Sequence, residues 1–216
     1  MLTERREDLV AERTRALNRL HVLLRDLLSD GVAKGLSAEA AAKLLRRARP
    51  GHETGWVRKR LASELVRDVR ALDRKVASLD ERIREEVEAS GTALTEIFGI
   101  GPILAAKLAG IVGDVARFPS KAHFASYAGV APIEASSGEV VRHRVSLAGN
   151  RRLNKVLHLV AVCQARSDPR GRAYYLKKLG EGKSRREAMR CLKRRVSDAV
   201  FRALVADSEL ALQAVA

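Results

Sequence analysis

TGWVRKRLASELVRDVRALDRKVASLDERIREEVEA, residues 54–89, carries the clearest periodicity in the chain. Leu61, Leu65, Val69, Leu72, Val76, Leu79, Ile83 and Val87 recur at spacings of four or three, with Arg, Asp and Glu between them. That rhythm keeps one helix face turned toward a partner helix. The run is far longer than a typical globular helix of about 11–12 residues. Two readings stand: a long surface helix lying on its own domain, or a coiled coil, formed within the chain against residues 3–28 or between protomers. The coiled coil accounts better for the length.

On the N-terminal side, residues 3–28 read as a helix capped by Thr3, with Val10, Leu17, Leu20, Leu24 and Leu27 on one stripe. Two glycines break it within residues 29–36, and Ser37 caps a short helix that ends before Pro50-Gly51. On the C-terminal side the character changes. Residues 91–130 are nearly uncharged and punctuated by glycine. They predict a short helix over 92–98, a tight turn at Gly99-Ile100-Gly101, a helix from Pro102 to Val112, and another over 120–128. Residues 129–149 read as a loop with a short hairpin at Glu139–Val145. Helices follow over 150–166, from Asp168-Pro169 to Leu179, and over 184–205. The tail DSELALQAVA reads as frayed. The fold class is therefore all-α: a helical coiled-coil arm over 1–90, then a compact helical domain over 91–216.

Composition agrees. Of 216 residues, 46% are hydrophobic but only 4% aromatic, so the core is built from Leu, Val and Ala, which suits helices better than a β-sandwich. Cys163 and Cys191 have no metal-ligand spacing, and their scarcity suits a reducing compartment. The N-terminus is charged throughout, unlike a signal peptide. No apolar run approaches the roughly 20 residues that span a bilayer. The expectation is a cytoplasmic protein with no membrane partner.

The formal net charge is +15, and it is unevenly spread. Residues 1–90 contribute +4 and residues 91–140 contribute −1, whereas residues 141–202 hold 18 Lys/Arg against 4 Asp/Glu. A solvated helix face mixes signs, and this stretch does not, so it points to a polyanionic partner, nucleic acid first. LTEIFGIGPILAAKLAGIVGD, residues 94–114, fits a helix-hairpin-helix over 92–112. Gly99 and Gly101 would let the turn pack closely, the amides opening the next helix would face a phosphate, and Lys107 would add a cation. Such a hairpin contacts backbone rather than bases.

GVAPIEASSGEVVRHR, residues 129–144, is the other candidate. Ser136 and Ser137 precede Gly138; Arg142, His143 and Arg144 follow, and Arg151, Arg152 and Lys155 open the next helix. Read by spacing alone, this is a polar turn. Read chemically, it is a hydroxyl beside the cations that attack on a phosphodiester needs. The five histidines form no metal pair, and Glu85, Glu86 and Glu88 read as solvated.

REDLVAERTRALNRLHVLL together with IFGIGPILAAKLAGIVGDVARFPSKAHFASYAGVAPIEASSGEVVRHRVSLAGNRRLNKVLHLVA resembles the insertion-sequence-110 family of transposases (IS110/IS116/IS902-type), across residues 4–205. The resemblance implies a C-terminal transposase domain with a serine in a Ser-Gly motif. That serine would attack DNA and form a phosphoserine link. It falls on Ser137, with Ser136 the close alternative, and Arg142, Arg144, Arg151 and Arg152 match the family's basic stretch around Gly149-Asn150. With Lys155, and with Arg185, Arg186 and Arg194 in the basic helices over 150–205, these form the expected nucleic-acid contacts. The family's RuvC-like domain, with its acidic metal site, has no counterpart here, so no cofactor is expected on this chain and Mg2+ only with that domain. The implied partners are DNA, a guide RNA and further copies of the chain through the coiled coil. The reading from a different class is a non-catalytic nucleic-acid-binding and dimerisation module.

Overall fold

The computed structural model describes residues 1–28, 31–33, 35–134, 143–145 and 148–215. Among them the protein is all-α, with eight α-helices and one small antiparallel pair of strands. The chain forms two compact units, Met1–Ile83 and Arg84–Ala216.

The first unit contains α1 (Leu2–Leu27), α2 (Ala38–Arg47) and most of α3 (Glu53–Ser90). Ser37 caps α2, accepting from the Ala40 amide. α1 and α3 run antiparallel, as three ion pairs define: Arg6 with Asp80, Arg13 with Asp73, and Arg58 with Asp26 at 3.8 Å. Leu9, Leu72 and Leu79 form the core near one end of this pair. Nearer the other end α2 joins, and Leu20, Leu24, Ala38, Ala41, Leu45, Ala62, Val66 and Val69 pack together.

The periodic seam differs from expectation at its start. Leu61 is 46% exposed, while Ala62 and Val66 are buried. The cause is the third helix. With both α1 and α2 packed on it, α3 turns the 62–66–69 stripe inward, and the small Ala62 lets the helices approach. Leu61, one residue away and so about 100° around the helix, is left outside with Trp56 and Val57.

In the second unit the segment expected as a helix over 92–98 is one 3-10 turn, Ala93–Glu96. It is followed by α4 (Pro102–Val112), a second 3-10 turn at Val115–Arg117 and α5 (Lys121–Tyr127), capped by Ser120. Strand β1 (Pro132–Glu134) pairs antiparallel with β2 (His143–Val145), Ile133 opposite Arg144. The hairpin expected within 139–145 is thus a pairing of 143–145 with 132–134. α6 (Arg151–Ser167), α7 (Pro169–Gly180) and α8 (Arg185–Val215) complete the unit.

α6 is the central element, packed on α4, α7 and α8. Its Leu153, Val156, Leu157 and Val160 are buried, and each such side chain contributes about 1.5–3 kcal/mol on burial. α8 meets them with Ala188, Leu192, Val196 and Val200, spaced by four. Phe124 of α5 is fully buried against Phe201 of α8, ring centroids 5.6 Å apart. The C-terminal tail departs from expectation: it is helical to Val215. Asp207 accepts hydrogen bonds from the Thr92 hydroxyl and, at 2.9 Å, from the Ala93 amide, which ties the tail to the first 3-10 turn.

Candidate nucleic-acid interface

The site begins with a clamp. Gly129 ends the turn after α5 with φ +65°, and Gly149 lies against it. The Asn150 amide donates to the Tyr127 carbonyl at 2.7 Å. Its side-chain oxygen caps α6 by accepting from the Leu153 amide at 3.0 Å, and its side-chain nitrogen donates to the Tyr127 hydroxyl at 2.9 Å. Asn154, one turn on, donates to the carbonyls of Ala128 at 2.8 Å and Gly129 at 3.1 Å. The two ends of the serine loop are thus held together on α6. Ser136, Ser137 and Arg142 lie outside the described residues; Arg144 is placed in β2 by its backbone pairing with Ile133.

An aromatic cluster supports the clamp. Phe118 meets Phe124 edge to face and Tyr127 at a tilt, and the Arg117 guanidinium stacks over Phe118 at 4.6 Å and Tyr127 at 4.7 Å. Hydrogen bonding from Arg117 first, and from Asn150 second, holds the Tyr127 phenol below its ordinary range against the opposing effect of burial.

The glycine turn packs on the same central helix. Gly99 has φ +89°, and a Cβ there would come within 3.2 Å of the Cys163 Cβ. Gln164 of α6 donates to the Phe98 carbonyl at 2.9 Å. Gly101 opens α4 as its N-cap, with open space around it, and Lys107 is half-buried a turn and a half further on.

The basic residues separate by environment. Arg151, Arg152 and Lys155 are exposed on the first turns of α6, where a helix N-terminus already favours an anion. Arg185 and Arg186 are exposed on the first turn of α8. Arg194, grouped with them by sequence, is paired with Asp198 at 3.0 Å one turn along its own helix, so its charge is largely answered.

Between α6, α7 and α8 lies a cleft of about 390 Å³. His158 lines it from α6, Tyr175 from α7, and Arg185, Arg186, Arg190 and Lys193 from α8. Lys193 donates to the Asn154 side-chain oxygen at 2.9 Å, which joins the cleft to the clamp. Burial, and then the nearby Arg190, push the Lys193 ammonium below the ordinary lysine range. Sequence reasoning missed the meeting of Asn154, Tyr175 and Lys193. The only sequence signal for them was the positive excess of the region, because their meeting depends on three separate helices.

Among the described residues, no group of three or more His, Cys, Asp or Glu side chains could hold a metal ion. No described helix is long and apolar enough to cross a membrane.

Residues 91–176, which include the glycine turn, the loop and α6, match the family model of the IS116/IS110/IS902 transposases. The insertion element IS116 44.8 kDa protein of Streptomyces clavuligerus is 29% identical over 97% of this chain. The insertion element IS110 43.6 kDa protein of Streptomyces coelicolor is 36% identical over 63% of it, and the insertion element IS900 42 kDa protein of Mycobacterium paratuberculosis 34% over 62%. The matches span 64%, 34% and 35% of those relatives' own lengths.

Proposed function

We propose that the chain is a transposase of the IS116/IS110/IS902 type, whose family model its residues 91–176 match, and that it acts in DNA transposition, with its second unit holding DNA by the phosphate backbone. The observation that carries this reading is the two-sidedness of α6: Leu153, Val156, Leu157 and Val160 are buried, while Arg151, Arg152, Lys155 and His158 are exposed. A rigid helix with cations at its N-terminal end is suited to a phosphate.

The finer proposal concerns chemistry. Ser137, with Ser136 as its alternative, would attack a DNA phosphodiester. The Oγ–P bond forms, the bond from phosphorus to the departing sugar oxygen breaks, and the serine proton passes to a base or to that oxygen. Arg142, Arg144, Arg151 and Arg152 would stabilise the charge that develops on phosphorus. The clamp at Gly129 and Gly149 supports this reading, because it fixes both ends of the loop that carries the serines. Association of copies through the α1–α3 pair and use of a guide RNA belong to the same proposal.

Two measurements test it. Fluorescence anisotropy with a duplex of about 20 base pairs should show affinity falling with salt, with a log–log slope of about −0.9 per phosphate contacted. Arg151→Gln and Lys155→Gln should each reduce the slope by about one. Incubation with a nicked duplex, with a RuvC-like metal domain supplied in trans, should give a denaturant-resistant protein–DNA adduct that Ser137→Ala abolishes. Salt-sensitive binding with no adduct in either protein would reject the nucleophile and leave the binding and dimerisation module.

A further inference from the structure

We propose that the cleft between α6, α7 and α8 holds one unpaired nucleotide of a nucleic-acid strand, its base against the Tyr175 ring and its phosphate among Arg185, Arg186 and Lys193. This rests on the reading of the second unit as a nucleic-acid-binding body and goes past it by naming a strand that is not base-paired.

Size comes first. About 390 Å³ lies within the range of pockets that take small ligands, and it has room for a single nucleotide. A duplex would bring its phosphates to this surface but keep its bases stacked inside.

The lining is mixed. A surface that touches only duplex backbone needs cations and small donors. This cleft adds an aromatic ring and the thioether of Met189, which are the groups that receive the face of a base. The two adjacent tyrosines of α7 divide their roles. Tyr174 is occupied, with Lys178 at 5.5 Å and Arg195 at 4.8 Å from its ring. Tyr175 is half-buried, lines the cleft, and has no ring contact or hydrogen bond among the described residues.

The charge also lacks its complement. The carboxylate near this end of α8 is Glu187, and it is engaged by the Ser184 amide at 2.9 Å, the Ser184 hydroxyl at 2.6 Å and Arg190 at 3.7 Å. Arg185 and Arg186 have no carboxylate partner among the described residues. Lys193 is half-buried and, among the described residues, has the neutral Asn154 oxygen as its acceptor; both its burial and Arg190 disfavour its charge. A phosphate is the group whose charge would complement these cations. Through Asn154, which also holds the Ala128 and Gly129 carbonyls, a strand in the cleft is coupled to the base of the serine loop.

The test uses the full chain and two fluorescent probes: a twelve-nucleotide oligothymidylate and a duplex of about 20 base pairs. Loss of one stacked base corresponds to about fivefold or more in affinity. Tyr175→Ala should weaken the single strand by at least about fivefold and leave the duplex within about twofold, while Tyr175→Phe should retain single-strand binding. Three results overturn the proposal: no oligothymidylate binding by the wild type, an equal loss for both probes, or no loss for either. Failure of the underlying reading looks different, since then neither probe binds. Should Tyr175→Ala unfold, the wild-type chain is irradiated with a strand carrying iododeoxyuridine. Crosslinking to the peptide that contains Tyr175 supports the proposal, and crosslinking confined to other peptides overturns it.

Discussion

Gly149→Ala tests whether the base of the serine loop is a rigid clamp. A Cβ at residue 149 would lie 2.3 Å from the Gly129 Cα, 2.4 Å from the Gly129 nitrogen and 3.0 Å from the Ala128 carbonyl carbon. All three are backbone atoms, so no side chain can swing aside. Carbon atoms settle at about 3.5–4.0 Å, so the two strands of chain must part by more than 1 Å, roughly, at this point. The hydrogen bond from the Asn150 amide to the Tyr127 carbonyl, 2.7 Å, and those from Asn154 to Ala128 and Gly129, 2.8 and 3.1 Å, then pass out of range. Each is worth about 0.5–1.5 kcal/mol net. Loss of two or three, with some residual strain, gives a destabilisation of about 2–4 kcal/mol. In a chain of this size that is a fall in Tm of roughly 4–16 °C. Near-ultraviolet circular dichroism of the tyrosines is the assay, since Tyr127, Tyr174 and Tyr175 all lie in the second unit. Gly101→Ala is the control: its Cβ meets nothing within 4 Å and its φ is −89°, so the change should stay within about 0.5 kcal/mol. A Gly149→Ala protein as stable as that control would show that the loop ends are not held together as described.

Gly99→Ala combines a positive φ with a 3.2 Å approach to Cys163, and it should cost about 1–3 kcal/mol in thermal or urea unfolding. Asp207→Ala removes the carboxylate that accepts from Thr92 and Ala93; a loss of about 1.5–3 kcal/mol is expected, with hydrogen exchange at the Ala93 amide accelerated. Asp80→Asn breaks a partly exposed ion pair with Arg6, so it should cost less than about 1 kcal/mol and still less at high salt. Absorbance titration near 295 nm should find a tyrosine that ionises below the ordinary value of about 10, and Arg117→Ala should bring it back toward that value. Because the folded pKa of Tyr127 is depressed, its ionised form stabilises the fold on the alkaline side. That contribution is fully present above the unfolded value of about 10 and is lost as pH falls through the folded pKa.

What was legible in the sequence was whatever depends on neighbours along the chain. Helix periods, the cap at Ser37, the helix starts at Asn150 and Asp168-Pro169, the glycine turn at 99–101 and the charge excess over 141–202 all follow from local backbone chemistry and composition, although the cap expected at Thr3 is not formed, since α1 already begins at Leu2. The resemblance to the IS116/IS110/IS902 transposases was legible too, because ordered motifs survive in a linear string. Tertiary structure alone decided which face of α3 is buried at its start, since α2 adds a second partner and rotates the seam from Leu61 to Ala62. It also decided that the tail is helical, since Asp207 meets a turn 114 residues away. The cleft is the strongest case. His158, Tyr175 and Lys193 are unremarkable on their own helices, and α6, α7 and α8 become a site only where their packing leaves a gap between cations and a ring. Local propensity acts over a few residues, whereas a binding surface is a property of what side chains from distant segments leave uncovered when the core closes.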